Sequence, residues 1–178
     1  MKRKKTNIYK MAYIALLVAQ AMVVFKLEEW VPVPFPAIPG AKLGLANIFT
    51  IVSLYTLEPG AAFMVVILRS ILSMLISNNP GAFIYSVSGA MLSFAVMLLV
   101  KNLFKDRISR IGVSVAGAFS HNLGQLLAAT IMVQEPRILM YLPVLTIIAV
   151  PTGFFVGLTA NFMLDHIYRL GVMKELRR

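Results

Sequence analysis

Arginine, histidine and carboxamide side chains are placed here where an apolar chain has least use for them. Arg69 lies nine residues after Gly60 in the stretch AAFMVVILRS. At 1.5 Å per residue that is about 13 Å into a helix, near the middle of a bilayer. A guanidinium at that depth costs at least ~2.5–3.5 kcal/mol on insertion scales unless something satisfies it. Backbone carbonyls, Asn, Gln or Tyr would serve structurally, and an anionic ligand would serve better. The sequence puts all seven acidic residues in loops or at helix ends, so none is expected at the depth of Arg69.

A second polar group lies in GAFSHNLGQLL (Gly117–Leu127). His121 and Gln125 are spaced i,i+4, and Asn122 and Gln125 i,i+3, so all three are expected in one sector of a helix. They form either a polar seam to a neighbouring helix or the wall of a binding cavity. Asn47, in PGAKLGLAN, and Tyr85, beside Ser86, Ser88 and Gly89, extend the same polar lining. Lys42 either snorkels to lipid headgroups or points inward as a cation at the cavity mouth. The candidate ligand-binding set is therefore Lys42, Asn47, Arg69, Tyr85, His121, Asn122 and Gln125.

Catalytic signatures are absent. The chain has no GxxxxGK[ST], HExxH or GxSxG motif, so no phosphate-gripping loop, zinc-protease helix or serine nucleophile is expected. It has no cysteine, and His121 and His166 are far apart. Neither a catalytic residue, a metal site nor a cofactor is expected.

Such polar residues need a membrane bundle around them. Hydrophobic residues make up 59% of the 178, charged residues 13%, and mean hydropathy is +0.82. A soluble domain of this size is about half apolar and a quarter charged. The composition predicts an all-α integral membrane protein, one bundle over residues 1–178. Six transmembrane helices are expected, at Ile8–Phe25, Ala41–Leu57, Gly60–Ile76, Phe83–Leu103, Ile111–Val133 and Leu139–Met163. The breaks carry turn residues: VPVPFPAIPG, EPG, NNPG and QEP.

The net charge of +10 reads as basic cytoplasmic loops facing anionic lipid, not as nucleic-acid binding. With the N-terminus inside, the N-tail, the Lys101–Arg110 loop and the C-tail hold five, four and four basic residues. Thirteen of seventeen then lie inside, which places both termini in the cytoplasm.

Two surfaces have paired readings. Ala12, Ala15 and Ala19 share one face of the first helix, as internal packing or as docking for another membrane subunit. The linker Leu27–Gly44 carries four prolines and Trp30. Trp30 is either an interfacial belt residue or part of an outer cap. Glu28 and Glu29 are expected in solvent, with pairing to Lys42 as the alternative. Pro151 and Gly153 predict a kink in the last span.

PGAKLGLANIFTI, FIYSVSGAMLS and GAFSHNLGQLL together resemble a bacterial membrane family known as heptaprenyl diphosphate synthase component I, or Gx transporter family. That family is similar to the S components of energy-coupling factor (ECF) transporters. The resemblance implies six helices in a bacterial plasma membrane, both ends inside, and a vitamin-like small molecule bound from outside. It also implies partners, a T component and ATPase subunits, docked on an Ala-x3-Ala face that Ala15 and Ala19 match. The synthase name implies instead a non-catalytic accessory subunit. Prenyl elongation needs Mg²⁺ held by aspartate-rich motifs, and this chain has only Asp106 and Asp165.

Overall fold

The computed structural model describes residues 8–30, 42–76 and 80–171. It is all-helical, with no strand among the described residues. The described residues form six α-helices in order: α1 (Ile8–Glu28), α2 (Asn47–Thr56), α3 (Pro59–Ile76), α4 (Pro80–Phe104), α5 (Arg110–Val133) and α6 (Leu142–Arg169). Short 3-10 turns, Lys105–Arg107 and Pro136–Tyr141, join α4 to α5 and α5 to α6.

Local chemistry explains the breaks. Pro59 opens α3, where its missing N–H costs nothing. Ser109 caps α5 by accepting from the Gly112 N–H at 3.1 Å. Gln134 ends α5 in the left-handed conformation, at φ 56°. Glu135 then caps the turn by accepting from the Arg137 N–H at 3.1 Å. α6 continues through Pro151 as one helix.

Among the described residues, four helical stretches are long and apolar enough to cross a membrane: Ile8–Glu28, Pro59–Ile76, Phe83–Phe104 and Pro136–Arg169. The two other expected spans differ, for different reasons. α5 has the length, 24 residues, but its serines, His121, Asn122 and Gln125 dilute its apolar character. α2 has only 10 residues, about 15 Å of helix against a ~30 Å hydrocarbon core. The expected second span, Ala41–Leu57, is helical only from Asn47. Residues 42–46 form an irregular strap and a turn, with Gly44 at φ 83°. That left-handed conformation suits glycine and interrupts a helix.

α2 is nonetheless the centre of the molecule. It touches all five other helices, and every residue except half-buried Tyr55 is buried. Ile51, Val52 and Leu54 pack with Leu17, Val65, Val66, Met97 and Val156 in the main core. α4, α5 and α6 form a tight sheaf beside it. Gly153 and Gly157 let α6 approach the α5 backbone: an added Cβ would lie 2.7 Å from Val115 Cα and 2.8 Å from Ile111 Cα respectively.

α1 buries the stripe Ile14, Leu17, Val18, Ala21, Phe25 and Glu28. Ala12, Ala15 and Ala19 are exposed on other faces of that helix, so the internal-packing reading of these alanines does not hold within this chain. The expected proline-rich cap falls mainly on residues outside the described ones. Trp30, at its edge, is 77% exposed.

Candidate functional site

The broken start of α2 is where the polar residues meet. The α1 stripe carries Glu28 to this level, α3 brings Arg69, and α5 brings His121 and Gln125.

Arg69 is buried, 8% exposed. Its Nη2 donates to Asn47 Oδ1 at 2.9 Å, so α3 is tied to the first residue of α2. Arg69 Nε and Asn47 Nδ2 have no hydrogen-bond partner among the described residues. An unmade hydrogen bond on a buried donor costs about 1–3 kcal/mol. Arg69, Ser70, Ser73, Ser86 and Ala46 line a cavity of about 10 Å³, room for roughly one water.

His121 stands between two glycines. A Cβ on Gly44 would lie 2.8 Å from His121 Cδ2, 2.9 Å from Asn47 Nδ2 and 3.2 Å from His121 Nε2. A Cβ on Gly89 would lie 2.9 Å from His121 Nδ1. Both ring nitrogens lack a well-formed hydrogen bond among the described residues. The strap at Gly44 is therefore the lid over Asn47 and His121, and only glycine fits beneath it.

Gln125 holds that lid. Its Oε1 accepts from the Lys42 backbone N–H at 2.9 Å, and its Nε2 donates to the Lys42 carbonyl at 2.8 Å. Glu28 holds the next residues: Oε1 accepts from the Gly44 N–H at 2.5 Å and the Leu45 N–H at 3.4 Å.

The structure corrects the sequence-based expectation for Glu28. The side chain is 3% exposed, not in solvent, because α1 runs on past Phe25 and keeps Glu28 on its buried face. Its carboxylate acts electrostatically on Arg69 and Lys42, so Arg69 is not remote from every acid. The spacing carried this signal: Ile14, Val18, Ala21, Phe25 and Glu28 recur at four and three residues.

Lys42 does not line the cavity; its side chain turns to α1. Its Nζ lies 3.0 Å from the Phe25 ring centroid and donates to Phe25 O and Glu29 Oε1, both at 3.3 Å. Pairing with Glu29 was the alternative reading, and it is the one adopted. Burial pulls the ammonium below the usual lysine range, opposed by Glu29. Lys26, 2.6 Å from Glu29, holds that carboxyl below its usual range.

Two expected members stand apart. Asn122 does not share the sector of His121 and Gln125: its Nδ2 donates to Leu145 O in α6 at 3.0 Å, fastening α5 to α6. One residue turns a helix by about 100°, which separates it from His121. Tyr85 belongs to a second apolar cluster with Leu126, Ala128, Ala129 and Leu145.

The site is thus Glu28, Asn47, Arg69 and His121, covered by Gly44 and latched by Gln125. Arg69 Nε and Asn47 Nδ2, unpaired among the described residues, and the His121 imidazole are buried together here. No group of three or more His, Cys, Asp or Glu among the described residues could hold a metal. A family model described as heptaprenyl diphosphate synthase component I matches residues 17–163, and the chain belongs to that family. No curated protein and no solved structure matches it.

Proposed function

We propose that this member of the heptaprenyl diphosphate synthase component I family is a non-catalytic, multi-pass membrane subunit. It holds a small, anionic or hydrogen-bonding molecule taken from outside, in the manner of an S component of an energy-coupled uptake transporter. One observation carries this reading: Arg69 Nε and Asn47 Nδ2 lack partners among the described residues, and the His121 ring lies against Asn47 and Gly44 at the broken start of α2. Half-helix starts of this kind bind anionic substrate groups in transporters.

In this geometry the strap lies closed over Asn47 and His121. About 10 Å³ beside Arg69 admits no organic ligand, so entry requires the strap 42–46 to lift. Lifting releases Gln125 from Lys42 and Glu28 from Gly44. Glu28 then occupies, in the closed form, the role an incoming anion takes in the loaded one.

The chain would sit in a bacterial plasma membrane with six crossings and both termini in the cytoplasm, as the basic residues distribute. The exposed Ala12, Ala15 and Ala19 would face a T component, with ATPase subunits beyond it. A second reading is favoured by the family description: a non-catalytic accessory subunit for a soluble prenyl diphosphate synthase.

Gentle solubilisation and copurification separate the two. An S-like subunit brings down a membrane partner with ATPases and carries a small molecule visible by native mass spectrometry. An accessory subunit brings down a soluble prenyl synthase and carries no such molecule.

A further inference from the structure

A second feature lies at the opposite end of the bundle from Glu28, where Lys10 pairs with Glu58. Here α4 presents one continuous ruler of residues. Met91, Phe94, Ala95, Leu98 and Leu99 recur at helical spacing, and with Phe63 of α3 they line an apolar groove of about 430 Å³. Phe63 and Phe94 close its floor with ring centroids 5.4 Å apart. Asn102 ends the groove, and the same Asn102 lines a second, open cleft of about 500 Å³ with Tyr55, Lys101 and Lys105. From Met91 to Asn102 the ruler runs about 16 Å at 1.5 Å per residue.

No described carboxylate pairs with the lysines at the wide end. Lys10, Lys26, Lys42 and Arg110 each pair with a carboxylate. Among the described side chains, Lys101 and Lys105 have none. Lys101 Nζ donates to the Leu54 carbonyl and lies 4.6 Å from the Tyr55 ring centroid, which leaves other donors free. Lys105 is exposed. Arg110 stacks on the same Tyr55 ring, at 5.7 Å, but is engaged by Asn161 and Asp165 at 2.9 and 3.1 Å.

We infer that this is a built site for an anionic phospholipid, with the headgroup phosphate between Lys101 and Lys105 and one acyl chain along the Met91–Leu99 groove. The groove opens sideways, since Ala95 and Leu99 are exposed, so its occupant in a bilayer is hydrocarbon. Two lysines at its mouth, neither paired with a described carboxylate, select a phosphate on that hydrocarbon. The site is separate from the polar cluster under Gly44 and does not depend on what that cluster binds.

The test uses the full chain in detergent, with dioleoyl phosphatidylglycerol and dioleoyl phosphatidylcholine as competing probes in native mass spectrometry. The wild-type protein retains phosphatidylglycerol in preference by about tenfold, the scale of one charge-assisted hydrogen bond. Lys105→Gln abolishes the preference, and Ala95→Trp, which fills the groove, lowers phosphatidylglycerol retention by a similar factor. Both positions are exposed, so folding is preserved; if Ala95→Trp melts early, Leu99→Trp replaces it. Retention that ignores both groove variants reduces the site to surface charge and overturns the proposal. Equal retention of the two lipids also overturns it. Displacement of phosphatidylglycerol by equimolar farnesyl diphosphate, or by inorganic diphosphate without a tail, overturns the phospholipid assignment.

Discussion

Gln125 on α5 grips the backbone of Lys42 in both directions, accepting from its N–H at 2.9 Å and donating to its carbonyl at 2.8 Å. A side-chain amide thereby replaces the missing next turn of helix. The strap 42–46 needs such a partner, because buried backbone groups outside regular structure must be satisfied somewhere.

Gln125→Ala removes both bonds and leaves two Lys42 backbone groups unpaired. A loss of about 1–3 kcal/mol in stability is expected. Hydrogen exchange should rise at Leu43, Gly44 and Leu45 while the α4–α6 sheaf stays protected. Uniform loss of protection would instead make Gln125 an ordinary packing residue.

Gly44→Ala combines two penalties. The left-handed conformation costs a non-glycine residue roughly 1–2 kcal/mol, and the new methyl meets His121 at 2.8 Å and Asn47 at 2.9 Å. The double variant Gly44→Ala with His121→Ala should recover only the His121 share of the steric part, since the contact with Asn47 stays. Thermal unfolding of the four proteins in a double-mutant cycle measures that coupling. Strict additivity would mean that the strap does not bear on His121.

Arg69→Gln keeps some hydrogen bonding to Asn47 and loses the charge. If the proposed anionic ligand binds here, its retention should fall about tenfold to a hundredfold, the scale of a charge-assisted bond. Asn122→Ala, which loses a bond to Leu145, should lower melting temperature and leave retention per folded molecule unchanged. If both variants only melt earlier, the polar cluster is structural.

Ala15→Trp with Ala19→Trp alters only exposed positions. Expression and melting temperature should hold while copurification of membrane partners is lost. An intact complex would remove α1 as the docking face.

Cysteines placed at Asn79 and Gln134 should react with an impermeant thiol reagent in intact cells, and one at Lys105 should not. Labelling at Lys105 would reverse the orientation.

Composition alone determined that this is a helical membrane protein, because a chain 59% hydrophobic with few charges has no soluble way to arrange itself. Spacing determined the shared side of His121 and Gln125, which follows from a period of 3.6; for α1 it drew attention to Ala12, Ala15 and Ala19, while the buried face is Ile14, Leu17, Val18 and Ala21. Buried Arg69 was also legible as a residue in need of a partner. What the sequence did not decide is which partner each group takes. Arg69 and Asn47 lie 22 residues apart, and Gln125 and Lys42 83 apart, and no local pattern encodes such pairings. Glu28 reads as a loop acid beside Glu29, yet tertiary packing buries it, since the strap amides offer donors that compensate its desolvation. Asn122 sits beside His121 in the chain, yet the α6 carbonyl of Leu145 claims it. Tertiary structure likewise halved the second helix: Gly44 permits the left-handed turn, and Glu28 and Gln125 together reward the chain for making it.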